Sequence, residues 1–129
     1  MNHFRRMRSE AAERAAERRR REDEAPRLTN LVPKLETLKL EIEEHHAGVR
    51  LAESVHVKRV SIPHAPALFD LPCLDSFCKD GGHDMTDSIL RALQAGKTEF
   101  EGEDSCRGHT GTAECRRVLR FTAHATYKP

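Results

Sequence analysis

The sequence predicts an α+β fold in which a leucine-striped helix packs on a small antiparallel sheet, with a zinc-clamped insertion containing a short helix. Three observations predict it. An apolar stripe follows Pro26, a regular apolar–polar alternation occupies residues 117–127, and all four cysteines of the 129-residue chain lie in two short stretches, 73–78 and 106–115. A helical stripe and a half-buried strand in one short chain are typical of a sheet with helices on one side.

The composition limits the size of the core. Hydrophobic residues make up 37% of the chain and charged residues 33%, and tryptophan is absent. Globular domains usually contain about 45–50% apolar residues, so the folded region has few large side chains to bury. Small domains of this kind often gain stability from a metal ion or from disulfides. The cysteines are therefore expected to have a structural role.

Residues 1–27 form a charged arm that precedes a small zinc-binding domain at residues 28–129. The arm holds nine arginines against six acidic residues, and some of them, such as Glu10 and Arg14, have the spacing of ion pairs on a helix. No apolar face runs along the arm, so we expect an exposed helix or a disordered segment. The rest of the chain holds 13 basic and 15 acidic residues, a balance unlike that of a strongly basic nucleic-acid binder.

The apolar stripe after Pro26 has alternating three- and four-residue steps, the spacing of one helix face. Pro33 fits the first turn of such a helix, and Gly48 follows its last turn. Two interpretations remain open, since the stripe can lie on the domain's own sheet or pair with a second copy as a short coiled coil. The second interpretation predicts a homodimer through Leu28, Leu31, Leu35, Leu38 and Ile42.

Two extended segments and one short helix complete the prediction. Residues 49–62 are expected to form an extended pair or a single bent strand. The strand at 119–127, which has Phe121 on its buried face, is expected to pair with residues 55–62 in antiparallel fashion. Between them, a helix is predicted from Asp87 to Ala95, with Thr86 as its cap and Gly96 at its end.

The cysteines have the pattern of a zinc site. Four residues separate Cys73 from Cys78 and eight separate Cys106 from Cys115, where two glycines allow a tight turn. We expect Zn²⁺ held by these four thiolates. A set of three cysteines with one histidine is the alternative ligation, and two disulfides, an iron–sulfur cluster or merely buried thiols are competing interpretations. The alternate histidine ligands are His83 and His109.

Five basic residues lie on the two predicted strands or at their ends. If these strands pair, the side chains form a patch for phosphate contacts beside the metal, the competing interpretation being ordinary surface charge. No aromatic residue for stacking on bases is expected on that face. The residues are Lys58, Arg59, Arg116, Arg117 and Arg120.

The predicted function is a non-enzymatic interaction or regulatory module that binds a protein partner through a structural zinc domain. A nucleic-acid- or ribosome-associated zinc protein and a thiol-based redox sensor are the alternatives. The chain has no phosphate-binding loop, no nucleophile elbow and no His-Glu-x-x-His element, so no catalytic residue is assigned. It also has no apolar run of about 20 residues and no secretory signal, so no membrane partner is expected and a cytoplasmic location is predicted.

Overall fold

The computed structural model describes residues 3–46, 49, 52, 54–73, 78 and 81–129. Within these ranges lie three α-helices and eight strands. The helices are α1 (His3–Glu24), α2 (Leu28–Leu31) and α3 (Thr86–Gln94). The strands are β1 (Leu35–His45), β2 (Ser54–Arg59), β3 (Asp70–Leu71), β4 (His83–Asp84), β5 (Glu99–Ser105), β6 (His109–Thr110), β7 (Ala113–Glu114) and β8 (Val118–Tyr127).

A four-stranded antiparallel sheet organises the chain. Its strand order is β2-β1-β8-β5, and β1 and β8 pair along nearly their whole length, from Leu35 opposite Tyr127 to His45 opposite Val118. Two small ribbons, β3–β4 and β6–β7, stand apart from this sheet. Helices packed with an antiparallel sheet confirm the predicted α+β class.

The leucine-striped helix was the main error of the sequence prediction. Only the single turn α2 is helical, and the rest of the stripe lies in β1, a central strand of the sheet. Leu38, Leu40 and Ile42 are buried at every second position, whereas the helical assignment used Leu38 and Ile42 and left Leu40 out. An alternation of this kind is the period of a strand. Pro33 helps to end α2, because proline cannot continue a helix interior.

The residues assigned to a homodimer belong to the core of the chain itself. Leu28 and Ile42 are fully buried, Leu35 and Leu38 are almost so, and Leu31 is partly buried against the same cluster. The homodimer stays a prediction, but these side chains offer it no continuous exposed surface.

The pairing of the predicted strands also differs from the prediction. The strand at 119–127 is confirmed as β8, with Phe121 and its alternate neighbours buried, but β8 pairs with β1 and β5, and β2 lies on the far side of β1. Strand β5 was not predicted, because its sequence EFEGEDS is acidic and poor in strand-forming residues. It therefore places residues 99–105, part of the predicted zinc-clamped insertion, in the main sheet.

The short helix α3 confirms the predicted helix with a shift of one residue. Ile89 and Leu93 on its inner face are buried in the core cluster. Its start is held by Asp84, whose side-chain oxygen accepts the backbone N–H of Thr86 at 3.1 Å, and not by Thr86 as predicted. The Thr86 hydroxyl instead accepts the backbone N–H of Phe69 at 2.8 Å, which ties α3 to the segment before the first cysteine.

The N-terminal arm is helical as α1, and most of its side chains from Ala12 to Glu24 are exposed. Its C-terminal end contacts the domain through Arg21, which forms an ion pair with Asp70 and lies 3.5 Å from Asp84. A helix capable of crossing a membrane, by length and apolar character, is not found among the described residues.

Candidate metal centre

The four cysteines meet at one point although they come from distant parts of the chain. Cys73 follows β3, Cys78 precedes β4, Cys106 directly follows β5 and Cys115 directly follows β7. Their four sulfur atoms all lie within 4.8 Å of one another. The cluster predicted from the sequence is thus assembled in the structure and can hold a metal ion.

The β6–β7 hairpin explains how Cys106 and Cys115 come close together although eight residues separate them. His109 pairs with Glu114 and Thr110 with Ala113, and Gly111 takes the positive φ of +63° that the turn requires. The backbone N–H of Cys115 then donates to the carbonyl of Gly108 at 2.9 Å. The eight residues between the two cysteines are therefore a compact ribbon.

The sulfur separations fit a tetrahedral metal site. Cys73 and Cys115 are 3.7 Å apart at Sγ, and Cys78 and Cys106 are 3.5 Å apart. A tetrahedron with metal–sulfur bonds of about 2.3 Å has sulfur–sulfur edges of about 3.8 Å. A disulfide would require about 2.05 Å, and none of the four cysteines forms one. The donor set therefore fits one metal ion better than it fits two disulfides.

The backbone at Gly81 lies so close to two of the sulfur atoms that a side chain there would collide with them. A Cβ on Gly81 would come within 2.6 Å of Cys106 Sγ and closer still to Cys78 Sγ, distances that real side chains do not adopt. The backbone N–H groups of Gly82 and Gly108 each donate to Cys106 Sγ at 3.4 Å. These donors point at the thiolate and stabilise its negative charge.

The pKa values of the two buried cysteine thiols, Cys78 and Cys106, are shifted in opposite directions. Burial raises the pKa of the Cys106 thiol, but the N–H donors of Gly108 and Gly82, together with hydrogen bonds from Cys78 and Cys115, outweigh burial and hold that pKa below its ordinary value. Burial, followed by its hydrogen bond to Cys106, strongly raises the pKa of Cys78. Thiolates crowded in this way repel each other unless a cation neutralises them, so metal binding must displace the Cys78 proton.

The two candidate histidines occupy different environments. His109 is exposed on the β6–β7 hairpin. His83 is fully buried on β4 and lies beside Cys73 and Glu44. Neither histidine belongs to the group of four sulfur atoms. Ligation by the four cysteines remains the prediction, and His83 is the alternate ligand that lies close to them.

The sequence prediction missed a buried polar group next to the cysteines. Glu44 and Arg117 are both almost fully buried, and Arg117 Nη2 lies 3.4 Å from Glu44 Oε2. Asp104 of β5 is connected to this group through His83, whose Nδ1 lies 3.1 Å from the Asp104 backbone oxygen. The detectable signal was the alternation of β1, because Glu44 continues the inward positions of Leu40 and Ile42.

The predicted phosphate-contact residues do not form one patch. Because β1 separates β2 from β8, Lys58 and Arg59 lie on the edge strand, away from the others. Of the others, Arg116 pairs with Glu114 at 3.0 Å and Arg120 with Glu103 at 2.9 Å, while Arg117 is buried beside Glu44. The phosphate-contact role stays a prediction, with three of its five residues beside carboxylates.

Substitution of Gly81 by alanine should weaken metal binding by about 10- to 100-fold or more, because the new Cβ would occupy the space of two sulfur atoms. Competition with a chromophoric chelator would measure the affinity. Gly96→Ala is the matched control, since its Cβ would meet no atom of the described residues within 4 Å, although its φ of +74° strains the backbone. Equal zinc affinities of the two variants would contradict the geometry described for Gly81.

Comparisons with protein families, curated proteins and solved structures found no match to this chain. Interpretation of the site therefore depends on its geometry and chemistry.

Proposed function

We propose that this chain is a non-enzymatic module in which a structural Zn²⁺ ion, bound by Cys73, Cys78, Cys106 and Cys115, stabilises a surface for a protein partner. The observation that carries the proposal is the closed set of four sulfur atoms, all within 4.8 Å of one another. Four thiolates at tetrahedral spacing are a usual ligand set of structural Zn²⁺ sites. They also occupy all four positions, whereas catalytic zinc sites keep one position open for water or substrate.

The outer face of the main sheet is the surface we assign to the partner. Val55 is 67% exposed and Val57 is 50% exposed, and they stand beside Glu43 and Glu41 in the pairing of β1 with β2. Together with residues of β5 and β8 they line a shallow depression of about 620 Å³. Exposed apolar side chains next to a polar rim are typical of interaction sites.

The charge of this face indicates the chemistry of the partner. Its lining includes four glutamates and one arginine, Arg120, which already pairs with Glu103. A partner segment with apolar and basic side chains complements it, because opposite charges across an interface favour encounter and register. The four glutamates are Glu41, Glu43, Glu101 and Glu103.

A binding comparison tests the proposal. The zinc-loaded chain would be immobilised and exposed to an extract of its source organism, and each retained protein would then be purified for a direct measurement of Kd. We expect a partner that binds wild type and is weakened at least about tenfold by Val55→Lys with Val57→Lys.

The matched control adds the same charge elsewhere, with Gln94→Lys and Thr112→Lys at exposed positions. This control should bind the partner as wild type does. If no protein distinguishes wild type from the valine variant while tolerating the control, the outer sheet face is not the partner surface.

A further inference from the structure

A second set of metal-ligating atoms adjoins the four cysteines. One ligand atom each from Glu44, Cys73 and His83 lies within 4.8 Å of the other two. His83 is fully buried and Glu44 is 1% exposed. We propose that these three residues bind a second Zn²⁺ ion and that the Cys73 thiolate bridges the two metals. This inference rests on the proposed four-cysteine site, because the two sites share Cys73.

The hydrogen bonding of His83 carries the argument. Its Nδ1 lies 3.1 Å from the backbone oxygen of Asp104, and a carbonyl oxygen can only accept, so Nδ1 carries the proton. In the neutral ring Nε2 then presents a lone pair. Nε2 is buried and finds no hydrogen-bond partner among the described residues, although Glu44 Oε1 lies 3.4 Å from it. A lone pair facing a carboxylate oxygen in a buried site is unfavourable unless a cation lies between them.

The separation of these two atoms matches shared coordination of one ion. Zinc–nitrogen and zinc–oxygen bonds of about 2.0–2.1 Å place two tetrahedral ligands about 3.3 Å apart. The Nε2–Oε1 distance is close to this edge length and lacks the alignment of a hydrogen bond. A mixed set of imidazole, carboxylate and thiolate is also within the ligand range of Zn²⁺.

The residues behind the ligands have the arrangement expected of supporting groups. The backbone oxygen of Asp104 accepts the Nδ1–H of His83 at 3.1 Å, and Asp104 Oδ2 lies 3.5 Å from the same nitrogen. Arg117 lies 3.4 Å from Oε2 of Glu44, the oxygen not directed at His83. Metal-binding histidines usually donate their second N–H to a carbonyl or a carboxylate in this way. Because Cys73 is shared, the four thiolates and Glu44 together face two divalent ions, and Arg117 beside Glu44 balances the remaining negative charge.

A protonated His83 paired with Glu44, with no metal between them, is the alternative that the experiment must exclude. The wild-type chain would be saturated with Zn²⁺, freed of loose ions over a weak chelating resin, and analysed for metal and protein content. We expect two zinc ions per chain in the wild type and one in His83→Gln and in Glu44→Gln. His109→Gln, a substitution at an exposed histidine outside both sites, is expected to keep two.

Cobalt substitution separates the two sites. In His83→Gln the sulfur-to-cobalt charge-transfer band of the four-cysteine site should persist, while the absorption of the second ion disappears. One zinc per chain in the wild type, unchanged in His83→Gln, would overturn the second site and leave the four-cysteine site intact. No bound zinc at all would overturn both. If Glu44→Gln does not fold, the wild-type metal content and His83→Gln decide the result.

Discussion

Removal of zinc is expected to unfold the β6–β7 hairpin and the backbone at Gly81 and Gly82 while the main sheet remains. The hairpin side chains from His109 to Glu114 are mostly exposed, so burial contributes little to its stability. Structural zinc supplies roughly 10–16 kcal/mol of apparent binding free energy in small zinc-finger peptides, comparable to the stability of a whole domain. Amide exchange with and without a strong chelator, resolved by segment, would measure the effect.

The cysteine variant Cys106→Ser should have the same effect as the chelator. Cys106 accepts two backbone N–H groups and contacts Cys78, so its loss removes a ligand and leaves those donors without their thiolate. His109→Ala is the matched control and should keep zinc and protection. Unchanged exchange across residues 106–115 after zinc removal would mean that the metal does not hold the hairpin.

Replacing Ile42 by alanine is expected to lower the free energy of unfolding by about 2–5 kcal/mol, and hence Tm by roughly 10 °C. Ile42 is fully buried in β1, opposite Phe121 of β8 and His56 of β2. The cost combines lost apolar burial with the cavity left in a close-packed core. Thermal unfolding followed by circular dichroism would measure it.

Val57→Ala is the matched control for this variant. Val57 is 50% exposed on the edge strand β2, so its substitution should change stability by about 0.5 kcal/mol or less.

The dependence on concentration also separates the two arrangements of the apolar stripe. In the structure Ile42 belongs to one chain's core, and its Tm shift should not vary with protein concentration. A shift that grows on dilution would support a dimer through the stripe.

The sequence alone determined the elements whose local signals agree with their tertiary setting. β8 alternates over ten residues, and the same side chains are buried in the sheet. Helix α3 has an apolar face and a glycine with φ of +74° after its end. In these segments the local period and the buried face coincide, so no distant contact was needed to recognise them.

Pairing with neighbouring strands determined that β1 and β5 are strands. The apolar positions of 28–42 fit a helix if Leu40 is ignored, whereas Leu38, Leu40 and Ile42 fit a strand. The position of this segment between β2 and β8 selects the strand. β5 has weak strand propensity but pairs with β8 from Glu99 to Ser105. There Phe100 packs edge-on against Phe121, with ring centres 6.2 Å apart. Strand propensity depends on such neighbours, which the sequence does not display.

At the candidate metal centre, too, local sequence predicted one part of the arrangement and tertiary structure determined the other. The spacing of the cysteines and the nearby glycines predicted that the four sulfur atoms meet, and the β6–β7 hairpin closes the second pair locally. The sequence could not choose between His83 and His109 as the neighbouring histidine. That choice depends on β4, which buries His83, and on β1, whose inward phase brings Glu44 within 3.4 Å of it. Residues so far apart along the chain become neighbours only when the sheet forms, so tertiary structure alone decided the polar surroundings of the cysteines.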